Sequence, residues 1–287
     1  MNLRSFVTLM GFKFPSDPAK FQGQGTVRKH PLYWRWSLAE VRSSAVERGF
    51  GRTLRRDAWW WEILPVAIAF GAFGIYATLR AFEGAYYTWG PYLSPLYSPL
   101  IDPEHHWLPK IITPAMLILI FPLGFRTTCY YYRKAYYRAF FLDPPACAVG
   151  ERAGRNYRGE TRFPLILQNV HRYFFYAAVI VLGFLWYDAI VAFWYQGRFF
   201  IGLGSLIMAV NVVLLSLYTF SCHSWRHLVG GKLDCFSCTA MSRARHGAWK
   251  KTSSFNEHHM LFAWLSFFSV ALVDVYIRMV ASGAIKD

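Results

Sequence analysis

Residues 63–82 read ILPVAIAFGAFGIYATLRAF. A helix of this length spans about 30 Å, the depth of a bilayer's hydrocarbon, and its one charged side chain, Arg80, sits at the far end. Four further stretches have the same character: residues 111–125 (IITPAMLILIFPLGF, extended by TTCYYY), 170–195, 201–222 and 258–282. These five segments predict an all-α integral membrane bundle of five transmembrane helices. Composition agrees. Of 287 residues 55% are hydrophobic, 19% aromatic and only 16% charged, against about 25% charged in soluble domains. A net charge of +15 with a mean hydropathy of +0.21 excludes a nucleic-acid binder, which carries such charge on a hydrophilic surface.

Orientation follows from Lys and Arg. The first 58 residues, the loop 126–172 and the loop 226–251 hold 26 of them, while the other side of the five spans holds 5. The positive-inside rule then puts the N-terminus in the cytoplasm and the C-terminus outside. Two regions are expected: a basic cytoplasmic segment over 1–58 with no cleavable-signal pattern, and a transmembrane domain over 59–287 with a cytoplasmic Cys/His loop at 222–256. No repeat is evident, which disfavours an inverted-repeat transporter.

Asp188, Asn211 and Asp274 fall inside spans. An ionised carboxylate at mid-depth costs at least about 2.5–3.5 kcal/mol, so these side chains should face the bundle interior. They either hydrogen-bond between helices or serve a proton path; a transporter built on Asp188 and Asp274 is a further reading.

The densest chemistry lies in SCHSWRHLVGGKLDCFSC, residues 221–238. His223 and His227 share one helix face, Gly230 and Gly231 end the helix, and Cys235 and Cys238 follow at metal-ligand spacing. A disulfide is disfavoured in a reducing cytoplasm. His223, His227, Cys235 and Cys238 therefore predict a metal centre, either structural zinc or a Rieske-type [2Fe-2S] cluster with two imidazoles in place of two thiolates. Spacing slightly favours zinc, and the membrane location favours the cluster; ligation of haem b is the third possibility. Cys222, about 100° round the helix from His223, ranks as a substitute ligand. Cys129 and Cys147 read as isolated, unreactive thiols. His171, His258 and His259 bring imidazoles to the same boundary.

These features resemble the membrane-anchor subunit of an actinobacterial succinate dehydrogenase (succinate:menaquinone oxidoreductase). The resemblance rests on the five-span pattern, the broad basic face and the spacing Cys222-His223-x3-His227-x7-Cys235-x2-Cys238, and covers about residues 1–285. It implies an oxidoreductase subunit of a bacterial plasma membrane, without a dehydrogenase active site of its own. Flavoprotein and iron-sulfur partner subunits and bound menaquinone are implied as well, in a complex that can itself oligomerise. Anchors of this kind often hold haem b, but the outer half of these spans lacks the histidines a second haem needs. For the quinone, which requires flat apolar walls and donors for two carbonyls, the candidates are His171, Arg172, Trp225, Arg226, His258 and Trp264. A zinc-stabilised membrane scaffold is the alternative from a different class. No dinucleotide or nucleotide phosphate-binding motif is present.

Overall fold

The computed structural model describes residues 50–101, 112–151 and 161–287, less 162 and 164. Most of the expected N-terminal segment, together with His105 and His106, lies outside these residues. Eight helices carry the fold among them: α1 Leu64–Glu83, α2 Pro114–Thr127, α3 Tyr130–Tyr136, α4 His171–Val191, α5 Leu203–Phe220, α6 His223–Gly230, α7 Ala240–Glu257 and α8 His259–Ala281. The chain forms two compact units, residues 1–72 with 134–157 and residues 73–133 with 158–287. In the first, Gly51 N–H donates to the Gly150 carbonyl at 2.9 Å and the Thr53 hydroxyl donates to the Ala148 carbonyl at 2.7 Å. The site described below lies in the second.

Four helical segments are long and apolar enough to cross a membrane: Trp59–Glu83, Ile166–Val191, Leu203–Phe220 and His259–Ala281. The fifth expected span is shorter. Helix α2 has 14 residues, about 21 Å at 1.5 Å per residue, and the chain breaks at Thr128 and Cys129 before α3 begins. The Thr128 hydroxyl donates to the Gly124 carbonyl at 2.7 Å, so the break is closed by a side chain at a helix end. The TTCYYY stretch thus leaves the span, and Cys129 sits in a bend.

Helices α5 and α8 form the closest pair, with α4 against α5, α2 against α4, and α6 against α7. Glycines permit two close approaches: a Cβ on Gly124 of α2 would lie 2.2 Å from the Phe174 ring of α4, and one on Gly204 of α5 would lie 2.4 Å from the Tyr92 ring of the first hairpin. Around that contact Leu182, Ala189, Met208, Val212, Val273 and Ile277 make the core, while Ile75, Leu79 and Leu272 turn outward, as lipid-facing positions do. Two short antiparallel hairpins depart from an all-α description. Thr88–Trp89 pairs with Tyr92–Leu93 in the α1–α2 connection, and Trp194–Tyr195 pairs with Arg198–Phe199 in the α4–α5 connection. Trp89 stacks on Tyr195 across them at 6.2 Å, an aromatic arrangement typical of a membrane interface.

The intramembrane polar residues are matched. Asp274 is fully buried and accepts from Tyr76, Ser94 and Arg278 Nε at 2.8 Å. Arg278 in turn donates to Glu83 at 2.9 Å and to the Ala85 carbonyl at 2.6 Å. Asp188 accepts from Ser98, and Asn211 Oδ1 accepts from Ser269 at 2.6 Å. These contacts support the interhelical hydrogen-bonding reading and leave Asp274 dry. Asp274→Ala takes the buried acceptor from Tyr76, Ser94 and Arg278 Nε while Glu83 still pairs with Arg278, a loss of roughly 1–3 kcal/mol for each donor left unmet. The expected outcome is a lower melting temperature of the solubilised protein and poor assembly, measured by thermal scanning and size exclusion; wild-type stability would refute it.

Candidate redox site at the shared helix ends

Alternation of the helices along the chain brings the end of α2, the start of α4, the end of α5 and the start of α8 together. Each of these ends carries one sulfur or imidazole: Cys129, His171, Cys222 and His259. They line a single cavity of about 410 Å³ together with Thr128, Tyr131, Arg133, Gln168, His223 and Asn256.

The donors stand in two pairs. His171 Nε2 is 3.2 Å from Cys222 Sγ, and His259 Nε2 is 3.6 Å from Cys129 Sγ. The other ring nitrogen of each histidine is held by a hydroxyl: His171 Nδ1 is 2.8 Å from Thr128 Oγ1, and His259 Nδ1 is 2.7 Å from Ser221 Oγ. Those hydroxyls direct their own protons elsewhere. Thr128 donates to the Gly124 carbonyl and Ser221 to the Tyr218 carbonyl at 3.2 Å. Each therefore accepts from Nδ1–H, which fixes the tautomer and leaves the Nε2 lone pair aimed at a sulfur. A hydrogen bond that orients the far nitrogen in this way is the usual support of a metal-ligating histidine. Rings complete the walls. Phe125 stacks on His171 at 5.0 Å and Tyr218 on His259 at 5.0 Å.

Cys129, Cys222 and His259 are buried, and His171 is half-buried. Burial pushes the Cys222 thiol up to about 12, with Cys129 adding to the shift, and burial likewise raises Cys129. Two thiols in this setting stay protonated when no cation is present, and a bound metal reverses that balance. Among the described residues, no three His, Cys, Asp or Glu side chains are grouped as ligands of one metal ion. The four donors stand as two His–Cys pairs facing one cavity.

The ligand set expected from the local sequence is not assembled. Cys235 and Cys238 are joined in a disulfide, so their sulfurs are spent on each other, contrary to the expectation of free thiols. His223 and His227 do meet, ring to ring at 5.4 Å, but both are exposed. Burial lowers the His223 pKa, helped by His227, Arg226 and Arg172. Sequence reasoning read Cys129 as an isolated thiol and set Cys222 behind the other four, whereas the fold puts both in this cavity. Their partners lie 130 and 51 residues away. The available signal was one Cys or His at the same end of each of four spans, with Thr128 and Ser221 immediately preceding the two cysteines.

The quinone candidates are dispersed. His171 belongs to the cavity just described. Arg172 and His258 are exposed, His258 Nδ1 lying 3.2 Å from the Ser254 carbonyl. Trp264 is buried against Tyr132, Phe267 and Phe268. Arg226 donates to Ser253 at 2.9 Å and lies over the Trp249 ring. Trp225, one turn beyond Cys222, lines a second cavity of about 410 Å³ with Leu228, Val229, Ala244, Arg245 and Ala248.

The second unit is thus a set of apolar helices, several long enough to cross a membrane, with buried sulfur and imidazole pairs at one end. Residues 61–283 match the family described as actinobacterial succinate dehydrogenase subunit SdhC, and the chain belongs to that family. It is thus a membrane subunit of an oxidoreductase, located in a bacterial membrane. A chain of the Mycobacterium smegmatis Sdh1 complex in the apo form is similar, with 48% sequence identity and a TM-score of 0.74 over 83% of this chain and 93% of that one. No curated protein matches.

The cysteine assignments are open to direct mapping. Alkylation of the unfolded, unreduced chain should modify three cysteines, 129, 147 and 222, and leave 235 and 238 linked. In the folded protein Cys147, which is exposed, should react first. Peptide mass spectrometry showing alkylated Cys235 before reduction would contradict the pairing.

Proposed function

We propose that this chain is the electron-transferring anchor of a succinate:quinone oxidoreductase, receiving electrons from an iron-sulfur partner subunit that is itself supplied by a flavoprotein. Oxidation of succinate to fumarate releases two electrons and two protons, and reduction of a quinone to quinol consumes the same number, so the anchor's task is conduction and proton supply. The observation that carries this reading is the pair of hydroxyl-oriented histidines, each with its Nε2 against a buried cysteine sulfur.

Cys129, His171, Cys222 and His259 fit a His2Cys2 [2Fe-2S] cluster better than His223, His227, Cys235 and Cys238 do. The two thiols supply the negative charge such a centre needs, and neutral imidazoles replace the other two thiolates. When bound, the cluster supplies a one-electron relay at the end of the bundle. Around it the chain excludes water with Phe125, Tyr131 and Tyr218 and fixes both imidazoles through Thr128 and Ser221. Zinc would use the same four donors, but a single ion needs them all within one coordination sphere, and they stand as two pairs.

Menaquinone, the lipid-soluble acceptor implied for this family, is assigned to the apolar cavity between α6 and α7. There Trp225 and Leu228 provide flat apolar surface, and Trp225 is one helical turn from Cys222. Arg226 and Arg172 remain candidates for stabilising negative charge near the headgroup. The cytoplasmic placement of this end follows from the distribution of Lys and Arg, whose broad basic face suits both anionic lipid and a soluble partner.

The test uses the whole complex. Cys129→Ser and Cys222→Ser should each lower iron and acid-labile sulfide and bring quinone reduction to background, while reduction of a soluble dye by the partner subunits persists. Cys235→Ser should retain the iron. Normal quinone reduction in both Cys129→Ser and Cys222→Ser, or zinc in place of iron, would overturn the assignment.

A further inference from the structure

The proposed electron path leaves the Cys235–Cys238 disulfide without a task, and the α6–α7 hairpin is fastened by other means. The ring it closes spans a sequence separation of 3, and a disulfide constrains the unfolded chain least when its loop is shortest. Arg245 donates to the Val229 carbonyl at 3.1 Å and to the Gly231 carbonyl at 2.7 Å. Arg226 donates to Ser253 at 2.9 Å, and Asn256 donates to the Ser221 carbonyl at 2.8 Å. Helix α7 starts on its own capping box, in which Thr239 Oγ1 accepts from Ser242 N–H and Ser242 Oγ from Thr239 N–H, each at 3.1 Å. What the pair does have is access. Cys238 is exposed and Cys235 half-buried, with Phe236 and Ser237 exposed between them. Cys238 also directly precedes the N-cap of an 18-residue helix, whose N-terminal partial positive charge stabilises a thiolate.

We infer that Cys235 and Cys238 are a reversible thiol–disulfide exchange site, reduced by a soluble dithiol on the cytoplasmic side, and that reduction loosens the turn of the α6–α7 hairpin. The inference goes beyond electron transfer to quinone and shares with the proposed function only the sidedness of this loop. In a reducing compartment an accessible disulfide is a transient, redox-reading bond. The exchange balances without a further reactant. A thiolate of the dithiol attacks the exposed Cys238 Sγ, the Cys235–Cys238 bond breaks, and Cys235 leaves as a thiolate that takes up a proton. The second thiolate of the reductant then attacks its own sulfur in the mixed disulfide and expels Cys238, a departure that the N-terminus of α7 favours. Two electrons and two protons have passed to the cysteine pair, and the dithiol leaves as a disulfide. The turn responds because its side chains are tied to α7. Phe236 stacks on His246 at 4.6 Å, His246 on Trp249 at 6.0 Å, and Arg243 donates to the Ser237 carbonyl at 3.1 Å. These contacts suit residues 236 and 237 as the closed ring places them, and opening the ring frees both.

The folded, wild-type complex tests this, with dithiothreitol as the dithiol. After dithiothreitol a maleimide should label Cys235 and Cys238 alongside the exposed Cys147, while the buried Cys129 and Cys222 stay unlabelled; oxidised glutathione should restore the disulfide in the same preparation. Amide hydrogen–deuterium exchange across residues 232–243 should rise several-fold on reduction and fall back on reoxidation. In the Cys235→Ser, Cys238→Ser double variant it should stay high and ignore dithiothreitol. In inside-out membrane vesicles a membrane-impermeant maleimide should reach the reduced pair, and in right-side-out vesicles it should not. A disulfide that yields only when the complex is unfolded is a fixed staple and overturns the inference, as does reversible reduction with unchanged amide exchange. Labelling from the outer face alone overturns both the inference and the cytoplasmic placement of this end. Resistance to dithiothreitol in a loop that lies on the cytoplasmic side overturns the inference alone.

Discussion

Asp274 is fully buried, and the membrane-spanning part of the chain supplies its hydrogen-bond partners. Its carboxylate receives Tyr76 from α1, Ser94 from the first hairpin connection and Arg278 from its own helix, and Arg278 carries the link on to Glu83 and the Ala85 carbonyl. In an apolar surrounding, such a carboxylate is tolerable only when it is paired and hydrogen-bonded. Meeting them joins α1, the hairpin and α8 at one end of the bundle. The hydrophobic contacts between α5 and α8 then have a fixed frame within which Gly204 and Tyr92 can approach closely.

The opposite helix ends follow the same rule with a different result. Thr128 and Ser221 satisfy helix carbonyls with their protons and histidine Nδ1 with their oxygens. What gathers there about a cavity is chemically specific: two Nε2 atoms, each paired with a thiol sulfur, and a phenol with no partner. Elsewhere in the described bundle polar groups close on each other, as Asp188 does with Ser98 and Asn211 with Ser269.

Much of the architecture was legible from residue types. The apolar runs at 63–82, 170–195, 201–222 and 258–282 correspond to helices that can span a bilayer, and the paired state of Asp274 follows from the cost of leaving a carboxylate bare. The second run was read as a full span because TTCYYY continues its apolar character, whereas Thr128 turns its hydroxyl onto the Gly124 carbonyl and the helix stops. The site was half legible. A cluster of two histidines and two cysteines within 16 residues drew the ligand assignment to the α6–α7 connection, where the two sulfurs bond each other.

Hydropathy and the distribution of Lys and Arg are local properties, and the sequence alone carried the membrane location, the approximate spans and the expected sidedness. Which sulfur faces which imidazole is a property of helix packing. Cys129 and His259 are 130 residues apart, and His171 and Cys222 51. They meet only because alternating helices return the chain to one end of the bundle, and because a break after α2 turns Cys129 inward. No spacing rule along the chain encodes that meeting, since it depends on the length of each helix, on where each one stops, and on which helices pack together.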